Sequence, residues 1–188
     1  MTMERLNYKL IRSKRRTIGL EIRPEGVLVR APLKASQADI DGFIGEHLDW
    51  IEKHLKKAEE LKAKTEQQPK LTMEEIRRLA DQALVVIPER VRYYAPLIGV
   101  TYGRITIRNQ RSKWGSCTAK GNLNFNCLLM LAPPEVLDSV VVHELCHRKH
   151  MNHSAAFYAE VLRVFPEYRK WDKWLDENGA LLMSRMVG

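Results

Sequence analysis

Residues 143–147 read His-Glu-Leu-Cys-His, and this pattern constrains the chain more than any other stretch. On a helix, His143 and His147 stand one turn apart on the same face. At that spacing both imidazoles reach a single metal ion, each nitrogen about 2 Å from it. Glu144 is rotated about 100° round the axis from His143. It is too far round to chelate with the two histidines but close enough to work on a water at the metal. This is the H-E-x-x-H pattern of zinc hydrolases, with the glutamate as general base. Val140, Val141, Val142 and Leu145 make the helix largely apolar, hence buried. Two histidines and a glutamate on a buried helix need partners, whereas an exposed basic helix with two incidental histidines would need none.

A catalytic zinc has three protein ligands and a water. His150 faces the same way as His143 and His147 on an unbroken helix, but seven residues of rise put it about 10 Å along the axis from His143. Nitrogens about 2 Å from one ion cannot be spread so far. The third ligand therefore comes from chain that has left the helix. Met151-Asn152 offers the exit, because Asn is accepted in the left-handed conformation that ends helices. His153, six positions after His147, then arrives at the reversal and is the favoured ligand, with Glu160 and Glu167 as alternatives.

The chain of 188 residues has room for one sizeable core, or for a compact catalytic half with an appendage. Its 45% apolar and 29% charged residues are those of a soluble globular protein. Thirty-one Lys and Arg against 23 Asp and Glu leave a formal charge of +8. That excess can steer a protein towards phosphates, nucleic acid or acidic partners, or simply keep it soluble. Cys117, Cys127 and Cys146 form no C-x-x-C pair, which argues against a disulfide framework and a cysteine zinc site. Residues 1–16 are polar and basic, without the apolar core of a signal peptide, and no apolar run approaches the roughly 18 residues of a membrane span. A reduced, cytoplasmic setting without a membrane is expected. No oligomeric state is specified.

Along the chain, residues 1–32 read as N-terminal β-hairpins or a three-stranded meander, with a turn at Pro24, Glu25 and Gly26. Residues 33–99 read as a helical connection. A helix capped by Ser36 carries Ile40, Phe43, Ile44, Leu48, Ile51 and Leu55 at helical spacing and runs on into solvent. A second starts at a capping box, Thr72 with Glu75, and Pro88 is expected to kink or interrupt it. Residues 100–188 read as the catalytic core. Strands at 104–108 and 122–127, joined by the Gly-containing link 111–117, form a small antiparallel sheet packed on the metal helix, which Pro133 and Pro134 open. A helix follows from 154 or 155 to 164, and a last one starts at Pro166 and closes near Gly179, its aromatics serving as packing. The class is α+β.

Several segments follow one another in a recognisable order: Trp114-Gly115-Ser116-Cys117, Gly121 with the strand to Cys127, Ala132-Pro133-Pro134, Val141 to His147, and Asn152-His153-Ser154 with Phe157. Arg15-Arg16-Thr17-Ile18, Val29-Arg30-Ala31-Pro32 and Trp50-Ile51 precede them. In this the chain resembles the YgjP-like metallopeptidases, relatives of the SprT-like and other minimal zincin proteases. The resemblance implies a zincin-like core, one zinc ion on His143, His147 and His153, and Glu144 as catalytic acid and base. Position 158, often Trp in that family, is Tyr here.

The leading expectation is a zinc-dependent hydrolase that cleaves peptide bonds, with an extended substrate adding to a strand edge at 104–108 or 122–127. Arg111, Lys113 and Tyr158 are candidate substrate-binding residues, and His150 a further donor for an oxyanion. A second reading gives Arg108, Arg111 and Lys113 a polyphosphate to hold. Nucleoside-triphosphate pyrophosphatase activity, particularly on UTP, has also been attached to the YgjP-like name. The Gly-rich G-x-x-x-x-G-K-[ST] phosphate loop is absent from the sequence. A third reading, a basic nucleic-acid-associated protein, rests on net charge alone.

Overall fold

The computed structural model of the protein describes residues 6–23 and 25–186. Pro24, part of the expected turn, lies outside them. The chain divides into two compact units, Met1–Gln67 and Gln68–Gly188.

The first unit carries three strands, β1 (Tyr8–Ser13), β2 (Gly19–Arg23) and β3 (Gly26–Pro32), then two helices, α1 (Gln37–Glu46) and α2 (Leu48–Glu66). β3 lies between the other two, parallel to β1 and antiparallel to β2. Only β2 and β3 form a hairpin, so the expected pair of hairpins or meander is corrected. The cause is composition. Val27, Leu28, Val29 and Ala31 are all buried, which suits a strand covered on both sides, whereas β1 and β2 carry exposed charges that suit edges. Ile40, Ile44 and Ile51 close the core over Val27, Val29 and Ala31. The single long helix expected here is two helices, broken at His47 (φ −114°, ψ 12°).

The second unit holds α3 (Met73–Ile98), β4 (Ile105–Arg108), β5 (Gly115–Cys117), β6 (Leu123–Asn126), a 3₁₀ turn at Cys127–Leu131, α4 (Pro134–Cys146), α5 (Ala155–Val164) and α6 (Tyr168–Ser184). The span 33–99 is therefore not one connection. The apolar stripes of α1 and α2 pack with the first sheet, and that of α3 joins the core of the second unit. Thr72 and Glu75 form the predicted capping box. α3 runs unbroken through Pro88, because the carbonyl that proline leaves unpaired belongs to exposed Leu84, where water can satisfy it. Gly99, left-handed at φ 77°, ends it.

β6 is central, parallel to β4 and antiparallel to β5, so the expected antiparallel sheet is mixed. The rule is the same as in the first sheet: Leu123, Phe125 and Asn126 are buried, and the flanking strands are less so. β5 falls within what read as a link. α4 is buried along almost its whole length. Asp138 on it receives two hydrogen bonds from the Arg90 guanidinium of α3, both 2.6 Å, and one from the Tyr94 hydroxyl at 3.1 Å. At the other end of α4, Arg148 donates to the carbonyls of Thr101 and Ala119, fastening the strand connections there. α6 does not close at Gly179; the glycine lies inside the helix, where a Cβ would stand 3.1 Å from Nε1 of Trp114. Among the described residues no helix is long and apolar enough to cross a membrane.

Candidate metal centre

The last turn of α4, the chain that follows it and the first residues of α5 bring three imidazoles together. Nε2 of His143 lies 3.2 Å from Nε2 of His147 and 3.0 Å from Nε2 of His153. α4 ends at Cys146, earlier than the exit expected at Met151-Asn152, and among the described residues no residue other than glycine has a positive φ. The chain instead turns through hydrogen bonds from the Lys149 and His150 N–H groups to the Cys146 carbonyl. His147 Nδ1 lies 3.0 Å from the His150 carbonyl. His150 thus offers its backbone to the site. Ser154 caps α5 by accepting from the Phe157 N–H. Phe157, fully buried, packs against all three imidazoles at ring-centroid distances of 4.7–5.0 Å.

The outer nitrogens decide the tautomers. A carbonyl only accepts, so His147 Nδ1 carries its proton and Nε2 carries the lone pair. Tyr168 Oη donates to Asp172 at 3.1 Å and therefore accepts from His143 Nδ1 at 2.9 Å. Two Nε2 lone pairs then face each other across 3.2 Å, an arrangement that repels unless a cation lies between them. Tetrahedral ligands about 2.05 Å from zinc are about 3.3 Å apart, so these residues fit the metal. Burial, with His147 and His153 adjacent, pushes His143 down to about 4, and burial also lowers His147. Both imidazoles are held neutral, the form that binds metal.

Glu144 is buried with the helix, at 6% exposure, and its Oε2 has no hydrogen-bond partner among the described residues. Burial raises its carboxyl to about 8, opposed by the Lys113 charge and the Cys117 backbone N–H. The Cys117 thiol is raised by its own burial and by the Glu144 charge. β5 is the sheet edge beside this carboxylate. The Trp114 carbonyl and Thr118 N–H are spent on the β6 side, at 2.8 and 2.9 Å. The peptide groups of Gly115 and Cys117 alternate with them and face the other way. Next to the carboxylate is a cavity of about 230 Å³ lined by residues that include Lys113, Trp114, Val140, His143, Glu144, Asp172 and Leu175.

The residues singled out in the sequence divide. His143, His147 and His153 come together as one group. Glu160 is taken up by Lys149 at 2.7 Å and Arg163 at 2.8 Å, and Glu167 pairs with Lys170 at 3.3 Å. Lys113 lines the cavity, and Tyr158 lies over His153 with ring centroids 6.2 Å apart. Arg111 lines a different cavity, with Lys70, Ala180, Met183, Ser184 and Met186. Of the strand edges expected to receive a peptide, 122–127 corresponds to the central strand β6, paired on both sides, whereas 104–108 corresponds to β4, an edge of the sheet as β5 is. Tyr168 and Asp172, read as packing or passed over, reach the site. Their spacing of four on one helix face is the signal that was available.

The sequence profile of the YgjP-like metallopeptidase domain matches residues 16–79 and 62–178. No curated protein matches the chain significantly. Among solved structures, the zymogen of the metallopeptidase abylysin from Pyrococcus abyssi is 21% identical over 54% of this chain and 100% of that chain, with a TM-score of 0.46. The zymogen of jannalysin from Methanocaldococcus jannaschii is also 21% identical, over 49% of this chain and 95% of that chain, with a TM-score of 0.44.

Proposed function

This chain belongs to the YgjP-like metallopeptidase family, and we propose on that premise that it is a zinc-dependent peptidase in which His143, His147 and His153 hold one ion and Glu144 moves the protons. One observation carries the reading. Three Nε2 atoms converge beside a buried carboxylate whose Oε2 has no partner among the described residues. Zinc held there supplies Lewis acidity and brings the pKa of water into the neutral range.

The protein's own groups do the rest. Glu144 takes a proton from the attacking water at its free Oε2 and later returns it to the leaving amine. Burial favours its protonated form, while the Lys113 charge favours the ionised one in which it can accept a proton. An extended substrate adds to the outer edge of β5, where the Gly115 peptide group faces outward, and one of its side chains enters the cavity beside Val140 and Leu175. Tyr158, stacked over His153, offers its ring and hydroxyl to the substrate.

The polyphosphate reading drew on Arg108, Arg111 and Lys113; of these Lys113 lines the cavity beside Glu144, and Arg111 lines a separate one. Zinc-loaded protein incubated with unfolded protein, and in parallel with the four nucleoside triphosphates, decides the chemistry. Peptide-bond cleavage with the triphosphates left intact is the expected result. Pyrophosphate release without peptide cleavage would overturn the proposal.

A further inference from the structure

The three imidazoles are held by different means. The His147 ring is fixed by a backbone carbonyl three residues away, and His153 follows from the turn into α5. His143 alone is bonded at Nδ1 to a side chain from a distant helix, Tyr168 at the start of α6, 25 residues later. Tyr168 is 3% exposed, its ring lies within 24° of the His143 plane, and its hydroxyl has two partners. A hydroxyl has one proton. Given to Asp172, four residues on along the same helix face, that proton leaves the oxygen to accept from His143. The direction of the chain of hydrogen bonds is therefore set at its far end, by a group that only accepts when ionised.

We infer that Tyr168 and Asp172 are positioning residues of the metal centre, a relay that fixes the tautomer and ring plane of His143 and passes carboxylate charge towards the ion. The inference rests on His143 being a ligand, as proposed above. The relay does for this centre what a carboxylate bonded directly to a ligating imidazole does elsewhere, with a phenol interposed. It also makes α6 part of the site. Trp114, against Gly179 on the same helix, holds the 112–115 link to it, so one helix registers both the metal ligand and the strand edge.

The test uses the full chain and zinc itself, read by chelator competition at neutral pH, with cobalt as a spectroscopic probe. Removing the hydroxyl, Tyr168→Phe, is expected to weaken zinc binding about 10–100-fold and to shift the visible bands of the cobalt form. Asp172→Asn keeps the Tyr168 ring packed and still offers an oxygen to its hydroxyl, but removes the charge. A smaller loss, between wild type and Tyr168→Phe, is expected, with the metal-free melting temperature unchanged. If Tyr168→Phe binds zinc within twofold of wild type, the relay is overturned. It is equally overturned if Asp172→Asn binds as wild type does with an unshifted cobalt spectrum, because Tyr168 would then be packing only. Should Tyr168→Phe fail to fold, Asp172→Asn carries the test by itself. Wild type that binds no zinc would refute the metal centre itself, an outcome distinct from either.

Discussion

Gly115 and Glu144 touch: a Cβ at position 115 would stand 2.6 Å from Oε1 and 2.7 Å from Cγ of the carboxylate. No real Cβ approaches so closely, and here the neighbour is a buried side chain on a packed helix. The glycine is thus required by close approach rather than by backbone conformation. Gly115→Ala is expected to displace Glu144 and lower kcat about 100-fold, the scale of a lost general base. The three atoms nearest that Cβ all belong to Glu144 and none to an imidazole, so zinc content should stay at one per chain. Measuring both on one preparation checks this, and full activity would show that Glu144 tolerates displacement.

His153 is the exposed member of the metal group, and Glu160 is committed to Lys149 and Arg163. His153→Ala should lose most of its zinc, seen by metal analysis after dialysis, and should lose the rise in melting temperature that zinc gives the wild type. Glu160→Gln should keep its zinc. Reversed results would move the third ligand to Glu160.

The buried Glu144 carboxyl gives the metal-free protein a defined pH dependence. Its folded value, about 8, lies above the ordinary 4.5, so between those values the native state holds the proton more tightly than the unfolded state. Stability from this group is present below 4.5 and is lost as pH rises through 8. Compared with Glu144→Gln, metal-free wild type should therefore lose stability from pH 5 to pH 8.5, by something on the order of 3 kcal/mol. Urea unfolding at the two pH values measures it, and a gap that does not change with pH would contradict it.

Gly179 tests the anchoring of Trp114. Alanine gains about 1 kcal/mol in helix propensity, but its Cβ would meet the indole at 3.1–3.3 Å. Overpacking costs about 1–3 kcal/mol and should win, leaving Gly179→Ala destabilised by about 1 kcal/mol in urea unfolding. A stabilised variant would mean that Trp114 gives way freely.

How far the sequence went depends on whether the deciding physics is local. The capping box at Thr72, the proline-opened α4 and the helix-rise argument that set His150 aside all concern residues within two turns of one another, and each was legible. Strand order was not. It follows from which strand is covered on both faces, and that is decided by packing: Val27 to Ala31 take the centre of one sheet and Leu123 to Asn126 that of the other. β5 has only three residues, two of them small, and is a strand because of β6. Tyr168 and Asp172 were missed for a similar reason. Their spacing of four places them on one helix face, but it does not say that the hydroxyl meets an imidazole 25 positions earlier.

The most direct test of the central claim is Glu144→Gln, with zinc content and peptide hydrolysis measured on the same sample. The amide keeps the shape of the side chain but has no proton-accepting carboxylate. One zinc per chain with hydrolysis reduced at least 100-fold is the predicted result. Hydrolysis within tenfold of wild type at full zinc occupancy would contradict the assignment of Glu144 as the residue that moves the protons.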